Sequence, residues 1–201
     1  MSCAAVIAVK GAATAKTRLA AELAPAARRR LVEAMLARVL GAVRAAGGII
    51  EVIVVSTERR NANGSLTAII DDARGPSAAL EAGAHYAAAH GHAAALLLPA
   101  DLALVTAADL NALIAAGKRA GAALAPDHSG EGTNALYLPL ALPIRLEFGP
   151  MSSARHVAAC RIAGLVPAIV ERPGLAVDID AAGDLERLRG IPEYEFLWQS
   201  A

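Results

Sequence analysis

The length, charge and composition of this chain exclude several classes of protein. Its 201 residues are enough for one domain with a sizeable core. The 19 lysines and arginines balance 19 aspartates and glutamates, so the chain lacks the basic excess of a nucleic-acid-binding protein. Aromatic residues make up only 3% of the chain, which also argues against a platform that stacks single-stranded bases.

The cysteines and the hydropathy indicate a protein of the reducing cytosol. Cys3 and Cys160 have no C-x-x-C spacing and indicate no disulfide framework. No apolar run approaches the roughly 20 residues that cross a bilayer, and no signal peptide is evident at the start. We therefore expect a cytoplasmic protein with no membrane association.

The order of the predicted elements favours an α/β fold with a mostly parallel sheet. The stretch Ala93–Asp101 is apolar without alternation, which is typical of a strand buried on both faces. The stretch Pro25–Ala46 has apolar residues at helical spacing and stops before Gly47-Gly48. Strands that alternate with helices in this way build parallel sheets. We predict further strands at Ala4–Val9, Ile49–Val55, Leu66–Ile70, Ala122–Pro126, Ala135–Leu138, Val166–Val170 and Leu175–Val177, and further helices at Ser77–Ala89, from Thr106 to Ala120, at Ala154–Ala163 and at Ala182–Arg189.

Three carboxylates follow predicted strands. Asp101 comes directly after the central strand, and Asp178 and Asp180 follow the apolar run Leu175–Val177. In open α/β sheets, ligands collect outside the carboxyl ends of the strands. Alternation on an extended segment puts Asp178 and Asp180 on the same side, and three such carboxylates suit Mg²⁺. Each Asp could equally cap a turn or a helix, and spacing alone leaves both interpretations open.

The loop after the first strand combines small residues with positive charge. Lys10–Leu19 carries three cations, Lys10, Lys16 and Arg18, among alanines, threonines and a glycine. Small side chains let a polyphosphate approach the backbone, and cations neutralise its charge. The spacing of a Walker loop is absent, and by itself the loop is better interpreted as a solvated basic turn.

Two polar clusters in the second half of the chain could bind an anion. The loop His128–Asn134 is rich in glycine and ends in two hydrogen-bond donors, Thr133 and Asn134; its alternative interpretation is a plain hairpin turn. The second cluster is Phe148–His156, where Ser152 or Ser153 would cap a helix. A helix N-terminus binds phosphate or carboxylate through its free N–H groups.

Two further features concern the ends of elements. Ser77 is a plausible N-cap of the helix that follows it. The tail of residues 191–201 holds Tyr194, Phe196 and Trp198, and this group could dock on the domain, dock on a partner or stay loose. We predict a single domain over residues 1–190 followed by this tail, and the tail makes a homodimer worth testing.

Several motifs occur in one order that is characteristic of a known family. With these motifs, the chain resembles the 2-phospho-L-lactate/phosphoenolpyruvate guanylyltransferases, which make the guanylylated acid used in building coenzyme F-420. The resemblance covers about the first 190 residues. The motifs are Lys10-Gly-Ala-Ala-Thr-Ala-Lys16-Thr-Arg18-Leu, Asp101-Leu, Pro126-Asp127 with Gly130-x-Gly132-Thr133-Asn134, Phe148-Gly149-x-x-Ser152-x-x-x-His156, and Asp178-x-Asp180 with Asp184-Leu185.

The resemblance implies both a fold and a reaction. The fold would be the Rossmann-like nucleotidyltransferase fold of the nucleotide-diphospho-sugar transferase type, a three-layer sandwich with a mostly parallel sheet. The reaction would transfer GMP from GTP to the phosphate of a small phosphorylated carboxylic acid and release pyrophosphate. The acid could be 2-phospho-L-lactate, phosphoenolpyruvate or 3-phosphoglycerate, and no motif in the sequence distinguishes them.

The resemblance also implies roles for individual residues, with Mg²⁺ as the cofactor. The guanine pocket would lie near Ser56 and residues 75–77, although Ser77 stands where the family commonly has Asn. The implied metal ligands are Asp101, Asp178 and Asp180; the implied catalytic residues are Asp101, Lys16 and Arg18; the implied nucleotide-binding residues are Lys10, Gly11, Lys16 and Ser77; and the implied acid-binding residues are Thr133, Gly149, Ser152 and His156.

Two other functions remain as alternatives. A nucleotidyltransferase for a sugar phosphate or for molybdopterin would usually open with a glycine-rich Leu-Ala-Gly-Gly type loop, which this chain lacks. A non-catalytic nucleotide-binding regulatory domain would be favoured by loss of one of the three aspartates, and all three are present.

Overall fold

Strands and helices alternate along nearly the whole chain. The computed structural model describes residues 2–11, 16–60, 66–72, 74–142 and 144–199. The strands are β1 (Cys3–Val9), β2 (Ile49–Ser56), β3 (Leu66–Ile70), β4 (Ala94–Pro99), β5 (Ala123–Pro126), β6 (Thr133–Pro139) and β7 (Ala168–Ile169). The α-helices are α1 (Pro25–Ala45), α2 (Pro76–Ala89), α3 (Ala107–Ala120), α4 (Ser152–Ile162), α5 (Pro173–Ala176) and α6 (Ala182–Leu185), and short 3₁₀ helices cover Thr17–Leu19, Glu186–Leu188 and Pro192–Leu197.

One sheet contains all of these strands, in the order β3-β2-β1-β4-β6-β5-β7. Neighbouring strands are parallel except where β6 pairs with β4 and with β5. The predicted mostly parallel α/β sheet is therefore confirmed, with β6 as the reversed strand. Because β6 runs the opposite way, its amino end lies at the edge where the other strands have their carboxyl ends.

Helices cover both faces of the sheet and make a three-layer sandwich. Along β1, Ala5 and Ile7 pack with α1 and α3 on one face, while Ala4 and Val6 pack with α2 on the other face. This alternation is the period-two pattern of a strand that is buried on both sides. Helix α2 lies so close to β1 that a Cβ at Gly83 would overlap Val6 Cγ1, which requires the smallest residue there.

A third apolar cluster joins the aromatic tail to the rest of the domain. Tyr194 is fully buried in this cluster, and its hydroxyl donates to the Ala103 carbonyl at 3.0 Å. The Arg30 guanidinium lies over the Phe196 ring, 4.1 Å from its centroid. The described part of the tail therefore docks on its own domain, which accounts for its aromatic residues without a partner.

The C-terminal third differs most from the sequence-based prediction. The predicted strand Leu175–Val177 is wrong, because α5 occupies Pro173–Ala176. A short apolar run does not distinguish a strand from a buried helical turn, and a proline at the first helical position favours the helix. The predicted strand Val166–Val170 shortens to Ala168–Ile169, and the last predicted helix changes to a 3₁₀ turn at Glu186.

Within the described ranges, no helix combines the length and the hydropathy that a membrane-spanning segment requires.

Candidate active site

A cleft of about 800 Å³ opens at the carboxyl edge of the sheet, which is within the size range of small-molecule sites, about 300–1,000 Å³. Strand ends supply much of its wall. Asp71 follows β3, Asp101 follows β4 and Asp127 follows β5, while Thr133 begins the reversed strand β6. Because β6 is reversed, Thr133 at its amino end reaches the same cleft as the aspartates that follow the carboxyl ends of β3, β4 and β5.

The cleft brings together most of the residues that the sequence singled out. It is lined by eight of the predicted site residues, namely Lys10, Lys16, Arg18, Asp101, Thr133, Gly149, Asp178 and Asp180. Among the described residues, four predicted site residues stand outside this lining: Gly11, Ser77, Ser152 and His156. Residues 12–15 of the predicted phosphate loop lie outside the described residues.

Lys16 connects the two acidic segments of the cleft. Its ammonium lies 2.7 Å from Asp101 Oδ2 and 2.9 Å from Asp180 Oδ1. The lysine side chain is only 7% exposed, and its backbone adopts the left-handed conformation, with φ of 55°. Arg18 is exposed and is 3.9 Å from Asp180. The lysine predicted to meet a triphosphate therefore pairs with carboxylates in this structure.

Burial and charge set the ionisation of this group. Burial lowers the pKa of Lys16, but the carboxylates of Asp101 and Asp180 outweigh it, and the net shift is upward. Burial raises the pKa of Asp180, and the Lys16 ammonium reverses that, so the net shift is downward. The pKa of Asp178 is raised by burial and then by the Asp101 carboxylate. Asp178 is thus the carboxylate whose charge is least compensated.

The carboxylates of Asp101, Asp178 and Asp180 are chemically suited to a hard divalent cation, because they offer oxygen donors and more negative charge than one lysine neutralises. Their present arrangement is not a finished metal centre. Among the described residues, no group of three or more His, Cys, Asp and Glu side chains is arranged to hold a metal ion. Lys16 occupies the space between Asp101 and Asp180, so the carboxylates would converge on a metal only after its ammonium has left.

The segment that carries Asp178 and Asp180 is extended but pairs with no strand in the described part of the chain. Val177 and Ile179 point into the third apolar cluster, which leaves the intervening aspartate side chains in the cleft. The Asp184 carboxylate holds the following turn by accepting the Asp180 and Ala181 N–H groups at 3.0 and 2.8 Å. Alternation therefore places the two aspartates together, as predicted, although the preceding element is a helix.

Thr133, which lines the cleft, forms a buried pair with His156. Thr133 Oγ1 lies 2.9 Å from His156 Nδ1, and His156 Nε2 accepts the Glu147 N–H at 3.0 Å. His156 is fully buried, and burial, followed by the nearby Arg155 charge, lowers the pKa of its ring to about 4. The ring is therefore neutral near pH 7, and it reaches the cleft only through Thr133.

The start of α4 holds a polar atom without a partner. The predicted capping by Ser152 or Ser153 is wrong, since α4 begins at Ser152 and its N-cap is Met151, which makes no side-chain cap. Ser152 is fully buried, and its hydroxyl has no hydrogen-bond partner in the described structure. A buried hydroxyl without a partner is costly, and this one belongs to a residue at the start of α4 that does not itself line the cleft.

Two predicted nucleotide-binding residues have structural roles nearby. Ser77 is not the N-cap of α2, because the helix begins at Pro76 and Gly75 precedes it. Instead, the Ser77 hydroxyl accepts the Phe148 N–H at 2.8 Å and so ties α2 to the loop of the acid-binding motif. A Cβ at Gly11 would lie 2.6 Å from Thr57 Oγ1. The backbone at residue 11 thus packs directly on the end of β2.

Sequence reasoning did not assign several polar residues of the cleft. Thr57, Asp71 and Glu131 line it. Thr57 and Asp71 lie outside the motifs, and Glu131 is the unspecified position of the Gly130-x-Gly132 motif. The signal that could have found Thr57 and Asp71 is their position one residue after β2 and β3. The signal for Glu131 was its place in the glycine-rich loop that ends in Thr133 and Asn134.

The fold defines a class of protein. A crystal structure from Desulfovibrio desulfuricans G20, named as a nucleotide-diphospho-sugar transferase, matches with a TM-score of 0.77 over 98% of this chain and 94% of that one. The two sequences are only 14% identical, so this likeness speaks for the fold alone. The predicted Rossmann-like nucleotidyltransferase fold is confirmed.

The sequence then defines the family within that class. The family model described as "Guanylyl transferase CofC like" matches residues 3–191. A phosphoenolpyruvate guanylyltransferase from Sphaerobacter thermophilus is 40% identical over 194 residues, which cover 94% of each chain. A 3-phospho-D-glycerate guanylyltransferase from Phenylobacterium zucineum is 37% identical over 195 residues, covering 92% of this chain and 89% of that one. The chain belongs to the CofC-like guanylyl transferase family, and the predicted resemblance and enzyme class are confirmed.

Proposed function

We propose that this enzyme transfers GMP from GTP to the phosphate of a small phosphorylated carboxylic acid and releases pyrophosphate. The observation that carries the proposal is one cleft that holds both an acidic cluster with a lysine and neutral hydrogen-bonding groups. Asp101, Asp178 and Asp180 gather there with Lys16. Thr133 and Gly149 line the same cleft, together with Asp127 and Glu131 of the β5–β6 loop. The names of relatives at 37–40% identity support the same reaction.

The reaction needs alignment and charge neutralisation more than proton transfer. The attacking phosphate oxygen is already anionic at neutral pH, so the site requires no general base. Lys16 and Arg18 would neutralise the leaving pyrophosphate. For that role the Lys16 ammonium must leave Asp101 and Asp180, which it contacts at 2.7 and 2.9 Å. Its release and the exposure of both carboxylates are therefore one event.

We propose Mg²⁺ as the cofactor and Asp101, Asp178 and Asp180 as the residues that would hold it. A bound Mg²⁺ would neutralise phosphate charge and fix the orientation of the reacting groups. The raised pKa of Asp178, which burial and then the Asp101 carboxylate cause, supports this role, because a cation in the cleft would relieve that repulsion. Lys10, exposed at the end of β1, would add charge toward the triphosphate.

The acid substrate would bind at Thr133, Gly149 and Ser152. Gly149 has φ of 124°, a conformation that side chains rarely adopt, so its backbone can face the cleft closely. The buried Ser152 hydroxyl has no other partner in the described structure. Neutral donors near a helix N-terminus suit a carboxylate. His156 would support this group from behind Thr133.

The nucleotide would occupy the side of the cleft formed by β1, β2 and α2. Gly11 and Ser77 would act there through backbone placement, since Gly11 packs on Thr57 and Ser77 anchors the Phe148 loop.

A role in coenzyme F-420 construction and a cytoplasmic location stay predictions, as does a homodimer. The packing of the tail on its own domain removes the observation that first suggested the dimer.

The test is pyrophosphate release from GTP and Mg²⁺ with 2-phospho-L-lactate, phosphoenolpyruvate or 3-phosphoglycerate added separately, and with no acid as a control. We expect release that depends on an acid and a guanylylated product identified by its mass. These acids differ by few atoms, and one carbon in a pocket is worth about 1–3 kcal/mol, so a preference is expected rather than exclusion. Absence of release with every acid would refute the proposal.

A matched pair of variants ties the activity to the cleft. Asp101→Asn removes one carboxylate charge from the proposed metal site, and we expect turnover to fall by about 100-fold or more while the fold persists. Asp72→Asn removes the same charge from an exposed aspartate that pairs with Arg74, and turnover should stay within about twofold. Equal activity of the two variants would contradict the role of Asp101.

A further inference from the structure

His156 is enclosed between the loop of Glu147 and Phe148 and the start of β6, where Thr133 lines the cleft. Its Nδ1 atom contacts Thr133 Oγ1 at 2.9 Å, and its Nε2 atom accepts the Glu147 N–H at 3.0 Å. The edge of the ring meets Phe148, with the ring centroids 4.8 Å apart and the planes at 62°. No part of the imidazole is exposed, so any effect on a substrate must pass through one of these contacts.

These contacts determine where the single ring proton lies. A backbone N–H can only donate, so the Nε2 atom that accepts from Glu147 carries no hydrogen. The neutral imidazole must then carry its hydrogen on Nδ1, and it donates that hydrogen to Thr133 Oγ1. The Thr133 hydroxyl receives a hydrogen bond from the ring and keeps its own hydrogen for another acceptor. Thr133 lines the cleft, and within the described structure its hydroxyl has no other hydrogen-bond partner.

We propose that His156 is a positioning residue, which fixes the Thr133 hydroxyl as a hydrogen-bond donor to the carboxylate of the acid substrate. This inference rests on the proposed function and adds the group that orients the substrate contact. A protonated ring would still donate to Thr133, but it would lose the Glu147 contact. The charged groups near the ring are Arg155 and Glu147, and these two also pair with each other at 2.9 Å.

The competing explanation is that His156 only holds the Glu147–Phe148 loop in place. The two explanations attribute the effect to different ring atoms. Positioning of Thr133 depends on the hydrogen at Nδ1, whereas holding the loop depends on the lone pair at Nε2. Substitutions that keep one atom and remove the other therefore separate them.

The first experiment reads the tautomer in the wild-type protein by ¹⁵N NMR of the imidazole rings. The chain has five histidines, and the His156 signal is assigned by single substitution of the other four. We expect a protonated Nδ1 and an unprotonated Nε2 at pH 7. A hydrogen on Nε2, or a charged ring, would overturn the inference, and this readout does not depend on enzymatic activity.

The second experiment compares His156→Asn with His156→Gln. An asparagine amide nitrogen can take the place of Nδ1 and donate to Thr133, while a glutamine amide reaches the place of Nε2 and can only replace the loop contact. We expect the Gln variant to raise the KM for phosphoenolpyruvate about tenfold, the effect of one lost hydrogen bond. The Asn variant should stay within about threefold, and the KM for GTP should change in neither. The opposite order of the two variants would assign His156 to the loop and refute positioning.

A double-mutant cycle completes the test by comparing the wild-type protein, the two single variants and the double variant. Thr133→Val removes the hydroxyl and should itself raise the KM for phosphoenolpyruvate. Adding His156→Gln should then change this KM by less than twofold, whereas independent effects would multiply and contradict the coupling. If wild-type enzyme releases no pyrophosphate with any acid while the NMR shows the expected tautomer, the proposed function fails and the His156–Thr133 geometry stands.

Discussion

Replacing Lys16 by methionine should weaken the fold and strengthen metal binding at the same time. The Lys16 side chain is 7% exposed, whereas the Asp101 and Asp180 side chains are 28% and 51% exposed. Breaking a fully buried ion pair costs about 3–5 kcal/mol, and an exposed pair is worth at most about 1 kcal/mol. The two pairs of Lys16 lie between these limits, so we expect the free energy of unfolding to fall by about 1–3 kcal/mol.

The same free energy opposes the entry of a metal ion in the wild-type protein. A divalent cation must displace the ammonium before Asp101 and Asp180 can converge on it. In Lys16→Met that competition is gone, and we expect the Kd for Mg²⁺ of the nucleotide-free protein to decrease by roughly 5- to 150-fold. Turnover with GTP should nevertheless fall by about tenfold or more, because the pyrophosphate loses a cation.

Calorimetric titration with MgCl₂, repeated with MnCl₂, measures the metal affinity directly, and urea unfolding with EDTA measures the stability. Lys10→Met is the matched control, since Lys10 is an exposed lysine of the same cleft and forms none of the ion pairs found among the described residues. Its Kd for Mg²⁺ should change by less than threefold. An unchanged or weaker affinity in Lys16→Met would refute the idea that the ammonium occupies the place of the metal.

Three other predictions concern the core that supports the cleft. Tyr194→Phe leaves the buried Ala103 carbonyl without its donor, so urea unfolding should show a loss of about 1–3 kcal/mol; an unchanged midpoint would mean that water replaces the hydroxyl. Burial lowers the pKa of His156 in the folded state to about 4, which is below its value in the unfolded state. The unfolded state therefore binds the proton more readily, and the free energy of unfolding should decrease by about 3 kcal/mol as the pH falls from 6.5 to 4. His156→Asn should lack this part of the pH dependence, and parallel stability curves would contradict the assignment. Gly117→Ala places a methyl group against the buried Tyr137 ring. The resulting overpacking should lower the free energy of unfolding by about 1–3 kcal/mol, despite the better helix propensity of alanine. A rise in Tm would contradict this prediction.

Features that depend on neighbouring residues followed from the sequence alone. The capping box of α3 is an example, since Thr106 and Asp109 exchange hydrogen bonds of 3.3 and 3.1 Å across one helical turn. The central strand and the position of Asp101 after it were also correctly predicted, because an apolar run of that length is stable only between two layers. The order of the motifs was sufficient to identify the family, because the motifs depend only on residue types and their spacing along the chain.

Features that depend on distant residues required the tertiary structure. Lys16 pairs with partners 85 and 164 positions away, and its charge alone suggested a phosphate instead. Ser77 resembled a helix cap, yet its hydroxyl serves a loop 71 residues later. The proton position on His156 depends on a backbone N–H from one segment and a hydroxyl from another. Local propensity acts over a few residues, whereas the ionisation and the hydrogen-bond direction of a buried group depend on whatever the fold places beside it.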